Sequence, residues 1–181
     1  MSMKTLLIDG DVLVYQSCTV VEQEFDWGDD IWSLVSDARA AKQIVDTQIQ
    51  VYKATLNADR VIMTLSGDTN WRKDLLPSYK ANRKNTRKPL AFKAVRDYVL
   101  EVYNGICVDN LEGDDVLGLL AGGWKKIKGD KIVVSIDKDM LTVPGLHYNP
   151  MRPAQGVIGI TKDMADYNHM FQTLIGDRVD G

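Results

Sequence analysis

The chain has 181 residues, 45% of them hydrophobic, a formal net charge of −3 and two cysteines, Cys18 and Cys107. This length suits one domain able to bury a sizeable core. The lack of any apolar run near ~20 residues excludes a membrane-spanning helix, and two cysteines exclude a disulfide framework; both thiols are expected to be buried.

Met1-Ser2-Met3-Lys4 leads directly into an apolar run, Lys4 to Ile8, which reads as a fully buried strand. Residues 22–33 mix acids with Phe25, Trp27 and Trp32 and read as a surface loop. From about Val35 to Leu56, a helix is predicted with Val35, Ala38, Val45, Ile49, Tyr52 and Leu56 on one face. Asn57-Ala58-Asp59 ends it, and a second strand runs from Arg60 to Leu65. Gly105 to Val108 gives a short third strand, followed by a helix from about Leu111 that turns Val116, Leu120, Trp124 and Ile127 inward. Lys131 to Ile136 is the fourth strand. Leu146 to Asn149 and Gly156 to Ile160 are expected to form a short edge pair, and Thr161 to cap a last helix through Phe171 and Ile175. Strands alternating with helices imply one α/β domain with a mainly parallel central sheet flanked by helices.

Carboxylates recur where these apolar runs end. Asp9 and Asp11 follow the first strand, Asp68 the second and Asp137 and Asp139 the fourth, while Asp177 and Asp180 lie at the end of the chain. Acids at several carboxyl ends of a parallel sheet converge on one crevice. Each alone has a structural explanation: Asp9-Gly10-Asp11 suits a turn, and acids are favoured at helix N-termini. Glu112, Asp114 and Asp115 exceed what capping requires, with Glu112 and Asp115 on one helical face. Close carboxylates resist joint ionisation unless cations neutralise them, and oxygen donors without Cys or His point to Mg²⁺ or Mn²⁺.

The basic charge is concentrated in one stretch. Between Arg72 and Arg96 nine basic residues face one acid, Asp74, so this segment carries +8 and the remainder −11. A charge run is usually a solvated face, but Trp71, Tyr79 and Phe92 are interspersed, offering rings for bases beside cations for phosphates. His147 and His169 belong to no catalytic or ligand pattern, and no phosphate-binding P-loop occurs. Gly122-Gly123 falls within the expected helix and reads as a close-packing point.

Together, Leu6-Leu7-Ile8-Asp9-Gly10, Gly67-Asp68, the stretch Trp71 to Arg83, Leu111-Glu112-Gly113-Asp114-Asp115, Ser135-Ile136-Asp137-Lys138-Asp139 and Gly176-Asp177-Arg178-Val179-Asp180-Gly181 resemble the 5′-nuclease family. That family comprises flap endonucleases, the 5′-nuclease domains of bacterial DNA polymerases and phage 5′→3′ exonucleases, and the likeness looks closest to the short phage enzymes. The resemblance implies a PIN-like catalytic domain over residues 1–181 with a basic helical arch at about 70–104. It implies two Mg²⁺ ions, with Mn²⁺ able to substitute: Asp9, Asp68, Glu112 and Asp114 would serve the first, and Asp115, Asp137, Asp139, Asp177 and Asp180 the second. The implied reaction is two-metal hydrolysis of DNA near a free 5′ end or flap, leaving a 5′-phosphate and a 3′-hydroxyl. Lys80 and Arg83 would act on the scissile phosphate, with Arg72, Lys73, Tyr79, Lys84, Arg87 and Lys88 on the nucleic acid and Tyr79 stacked on the terminal base. The expected compartment is the cytoplasm, that of the host if the chain is phage-encoded.

Two departures qualify the likeness. Gly113 replaces an Ala common in the family and is expected to loosen the helix start. The helix–three-turn–helix that follows the Asp-x-x-Asp element in relatives, and grips the duplex with the help of K⁺, is missing. A fragment, a half-enzyme with a C-terminal partner chain, a DNA-binding subunit and a reduced nuclease therefore stay open, as does a ribonuclease. A haloacid-dehalogenase-like phosphatase, with Asp9 as nucleophile and Asp11 as acid/base, is the lesser alternative; it needs a strand before Gly176-Asp177.

Overall fold

The computed structural model describes residues 3–83 and 86–176. Its centre is a six-stranded sheet in the order β5-β4-β1-β6-β7-β8, formed by β1 (Lys4–Asp9), β4 (Arg60–Ser66), β5 (Ile106–Val108), β6 (Asp130–Val134), β7 (Gly145–Tyr148) and β8 (Val157–Ile160). All neighbours are parallel except the edge pair β7–β8. The fold class read from the sequence is therefore the one observed.

Alternation along β1 divides the core. Leu6 and Ile8 face one side, where they join Val14 and Cys18 of α1 (Gly10–Val21), Val45 and Ile49 of α2 (Ala38–Leu56) and Val95 and Val99 of α4 (Phe92–Val102). Leu7 faces the other side, against Val116, Leu117 and Leu120 of α5 (Gly113–Gly122). A strand buried on both faces has to be continuously apolar, and β1 reads that way. From β1 the chain builds β4 and β5 on one side of the sheet and then places β6 on the other. The crevice at the carboxyl ends of β1, β4 and β6 therefore lies at a topological switch point.

Several elements depart from the sequence reading. Residues 22–36 are not a loop but an antiparallel hairpin, β2 (Glu22–Asp26) and β3 (Trp32–Ser36), which pairs outside the main sheet. Its turn runs through Gly28, Asp29 and Asp30, all at positive φ. α2 starts at Ala38 rather than Val35, because the Asp37 carboxylate caps it by accepting from the N–H groups of Arg39 and Ala40. α5 stops at Gly122, where Gly123 at φ 100° closes it, so the glycine pair is a helix terminus rather than a packing point. Trp124 is consequently half exposed instead of inward, and Cys107 is exposed where burial was expected. Thr161 caps α6 (Lys162–Ile175) by accepting from Met164 N–H.

Candidate metal centre and nucleic-acid interface

Capping geometry gathers the carboxylates. Asp9 ends β1 and caps α1, Glu112 stands at the N-terminus of α5, and Asp137 caps a 3₁₀ turn (Lys138–Thr142) after β6. Three chain segments thus deliver acids to the same sheet edge for a local reason, the unpaired N–H groups of a helix start.

Asp9 is 7% exposed. Its Oδ1 accepts from Val12 N–H at 3.2 Å and its Oδ2 from Ser135 Oγ at 3.2 Å. Burial, reinforced by the charges of Asp11 and Asp114, pushes its pKa up to about 6 against these hydrogen bonds. Asp114 is likewise raised to about 6, by burial and by Glu112 and Asp115. Glu112, Asp114 and Asp115 bring carboxylate oxygens within 4.8 Å of one another.

Glu112 and Asp115 are held differently. Arg72 donates to both oxygens of Asp115 at 2.7 Å, and its Nη1 lies 3.3 Å from Glu112. Lys80 Nζ donates to Glu112 at 2.8 Å and Tyr79 Oη at 2.9 Å. Burial opposes ionisation of both acids, yet Lys80 lowers the pKa of Glu112, and the Arg72 fork that of Asp115. Tyr79 itself is pushed up to about 12, by burial first and by its bond to Glu112.

At the end of β4 the residue facing the crevice is Ser66, not Asp68. Ser66 donates to Asp11 Oδ2 through its N–H at 2.8 Å and its Oγ at 2.6 Å, and its Oγ accepts from Gly113 N–H at 2.9 Å. A Cβ on Gly113 would sit 2.7 Å from Asp11 Oδ2. Gly113 therefore permits a close approach that ties α1, β4 and α5 together, rather than loosening the helix start. Asp11 and Ser66 are absent from the ligand set implied by the resemblance. The signal for Asp11 was its place two residues after Asp9; Ser66 gave none. Asp68 is 96% exposed, with Arg96 4.0 Å away, and lines neither cleft described below.

Two clefts meet at Lys80, Glu112, Asp114 and Asp137. One, of about 1030 Å³, is also lined by Asp115, Asp139, Trp71 and Trp124. The other, of about 660 Å³, contains Asp9, Asp11, Arg87 and Lys88. Asp137 accepts from Asp139 N–H at 2.8 Å. Arg87 is forked onto Glu22, Lys88 Nζ lies 4.5 Å from the Phe92 ring centroid, and Lys73 is exposed. α3 (Trp71–Leu75) carries Arg72 and Lys73, and Arg83 closes a second 3₁₀ turn (Ala81–Arg83). Lys84, Asp177 and Asp180 lie outside the described residues.

The crevice fits a hard cation. Its donors are oxygens, and the carboxyls of Asp9 and Asp114, with raised pKa values, gain from a positive charge near them.

Comparison with known proteins places this geometry. The chain is 35% identical to the exodeoxyribonuclease of Enterobacteria phage T3, an alignment covering 97% of this chain and 60% of that protein. It is 33% identical to the exonuclease of Escherichia phage T7, covering 97% and 61%. With flap endonuclease Xni of Shewanella baltica it shares 33% identity over 138 residues, covering 75% and 48%. The chain thus spans 60% and 61% of the two phage relatives. A mutant of the T5 5′-exonuclease superposes with a TM-score of 0.66 at 13% identity, covering 99% of this chain and 65% of that one. A zinc-bound T5 5′-exonuclease gives 0.63 at 15%, covering 98% and 68%. Those two likenesses concern the fold. Residues 4–167 match the family described as 5′-3′ exonuclease, N-terminal resolvase-like domain, and the chain belongs to that family.

Proposed function

We propose that this chain is the catalytic domain of a Mg²⁺-dependent 5′-nuclease that hydrolyses DNA phosphodiesters near free 5′ ends or flaps. The observation that carries the reading is the carboxylate cluster itself. Carboxylate oxygens of Glu112, Asp114 and Asp115 lie within 4.8 Å of one another, and Asp9 lines the adjoining cleft with Lys80, Arg87 and Lys88. The relatives are named as exonucleases and a flap endonuclease, which supports the same activity here.

In this reading Asp9, Glu112, Asp114 and Asp115 hold divalent ions, with Asp137 and Asp139 from the adjoining turn and Asp177 and Asp180 contributing to a second position. Bound there, Mg²⁺ or Mn²⁺ supplies Lewis-acid charge to the phosphate. The chain's own groups do the rest. Asp9 is fixed by Val12 N–H and Ser135 Oγ, and Asp11 holds the start of α5 through Ser66. Lys80 and Arg72, now bonded to Glu112 and Asp115, exchange carboxylate oxygens for phosphate oxygens when a strand enters. Arg83 assists Lys80 at the scissile phosphate, and Tyr79 offers its ring to the terminal base. Arg87 and Lys88 line the approach, and Lys73 and Lys84 are assigned to the nucleic acid beyond it.

A second reading, in which a further polypeptide supplies duplex grip, draws on α6. Its Tyr167, Met170, Leu174 and Ile175 are 64–80% exposed, an apolar face open to a covering partner. The phosphatase alternative loses its basis, since Lys162–Ile175 is helix where that motif needs a strand.

The test is cleavage of a 5′-labelled flap duplex by the purified chain in Mg²⁺ and in EDTA. Mg²⁺-dependent release of short 5′ products is expected. A folded chain that binds the duplex but cuts only when a C-terminal polypeptide is added favours the second reading. Cleavage unaffected by EDTA would contradict both.

A further inference from the structure

The larger cleft is lined by more than carboxylates. α5 contributes Gly118, Leu119 and Gly122 to it, the two glycines one turn apart, and Leu111, Met140 and Val143 also line it. Trp124, 50% exposed, lines it beside Val143, while Trp71, 39% exposed, lines it where its side chain bonds to Asp115. Each indole carries a cation: the Arg72 guanidinium lies 4.8 Å from the Trp71 ring centroid, and Lys125 Nζ lies 4.9 Å from that of Trp124. An exposed indole beside glycines suits a flat aromatic ligand, and the accompanying cations suit one that carries phosphates.

We propose that the part of the cleft lined by Trp124, Gly118 and Gly122 is a nucleobase subsite, which takes the base of a nucleotide flanking the phosphate brought to cations at Glu112, Asp114 and Asp115. The inference rests on the nuclease reading and deepens it. A strand lies with its backbone along the metal-binding carboxylates and Lys80, and stacks one base on Trp124 beside Gly122. Because both clefts share Lys80, Glu112, Asp114 and Asp137, the same strand extends on its other side into the cleft lined by Arg87 and Lys88. Trp124 thus acts in binding and alignment, at a distance from the bond that breaks.

Gly122 provides the cleanest test. A Cβ there meets no atom within 4 Å, so Gly122→Leu adds a side chain beside Trp124 from a position with room for it. The probe is a fluorescein-labelled, 5′-phosphorylated oligothymidylate tetramer, read by anisotropy in Ca²⁺, alongside flap cleavage in Mg²⁺. Gly122→Leu and Trp124→Ala are expected to weaken binding by roughly 5- to 150-fold, the worth of one stacked base, while Trp124→Phe stays near wild type. Melting of Gly122→Leu should match or exceed wild type. If both variants bind the probe like wild type, the subsite is overturned while the nuclease reading stands on its cleavage. If the wild-type chain neither binds the probe nor cleaves the flap, both fall together.

Discussion

The two halves of the acidic crevice accommodate their charge in opposite ways. At Glu112 and Asp115, Arg72, Lys80 and Tyr79 surround the carboxylates, and both pKa values are lowered. At Asp9 and Asp114, burial and neighbouring acids prevail, and both rise to about 6. One half is neutralised from within the chain; the other calls for a cation from outside. The difference separates the residues that position the basic segment from those that gain most when a divalent ion binds.

The largest effect should come from the second half. Asp114→Asn should lower Mg²⁺-dependent flap cleavage by ~100-fold or more, the scale of a lost metal ligand. In EDTA at pH 7.5 the same variant should melt higher than wild type, since it removes a buried charge. Equal or lower melting would erase the contrast between the halves. The first half should respond in the opposite sense. Arg72→Ala leaves the two carboxylates without their fork and should cost about 2 kcal/mol in chemical denaturation at pH 7. That loss should shrink below about pH 4.5 as the unfolded-state carboxyls protonate.

The pH dependence sharpens the comparison. The folded chain keeps protons on Asp9 and Asp114 up to about 6, whereas the unfolded chain releases them near 3.8. Stability from this pair is therefore complete below about 3.8 and is lost as pH rises through 6. Without metal, the stability gained by Asp9→Asn should grow between pH 4 and 7 by on the order of 2 kcal/mol, measured by urea denaturation in EDTA. The smallest effect belongs to Asp68, which stands outside both halves. Asp68→Asn should shift stability by no more than ~0.5 kcal/mol and leave cleavage within tenfold of wild type. A hundredfold loss of cleavage would bring it into the crevice.

Much of this was legible because physics repeats locally. The continuous apolar runs that become β1, β4 and β6 exist because those strands are buried on both faces, and their carboxyl ends located Asp9 and Asp137. Thr161 announced α6, since a capping hydroxyl acts within its own turn. What stayed hidden depends on partners distant in sequence. α1 is rich in apolar residues, and only the bond from Val12 N–H to Asp9 marks its start. The β2–β3 hairpin leaves Phe25, Trp27, Trp32 and Val35 at least 42% exposed, so no core pattern distinguished it from a loop. The exchange of Asp68 for Ser66 at the edge of the crevice follows from Asp11 reaching across 55 residues, which no local pattern encodes.

The most direct measurement is the melting temperature of wild type and Asp114→Asn across millimolar Mg²⁺. An ion held at 100 times its Kd adds about 2.7 kcal/mol, or roughly 5–10 °C for a domain of this size. Wild type should rise by that amount and Asp114→Asn should stay flat. A rise of equal size in both, or in neither, would contradict a metal centre that includes Asp114.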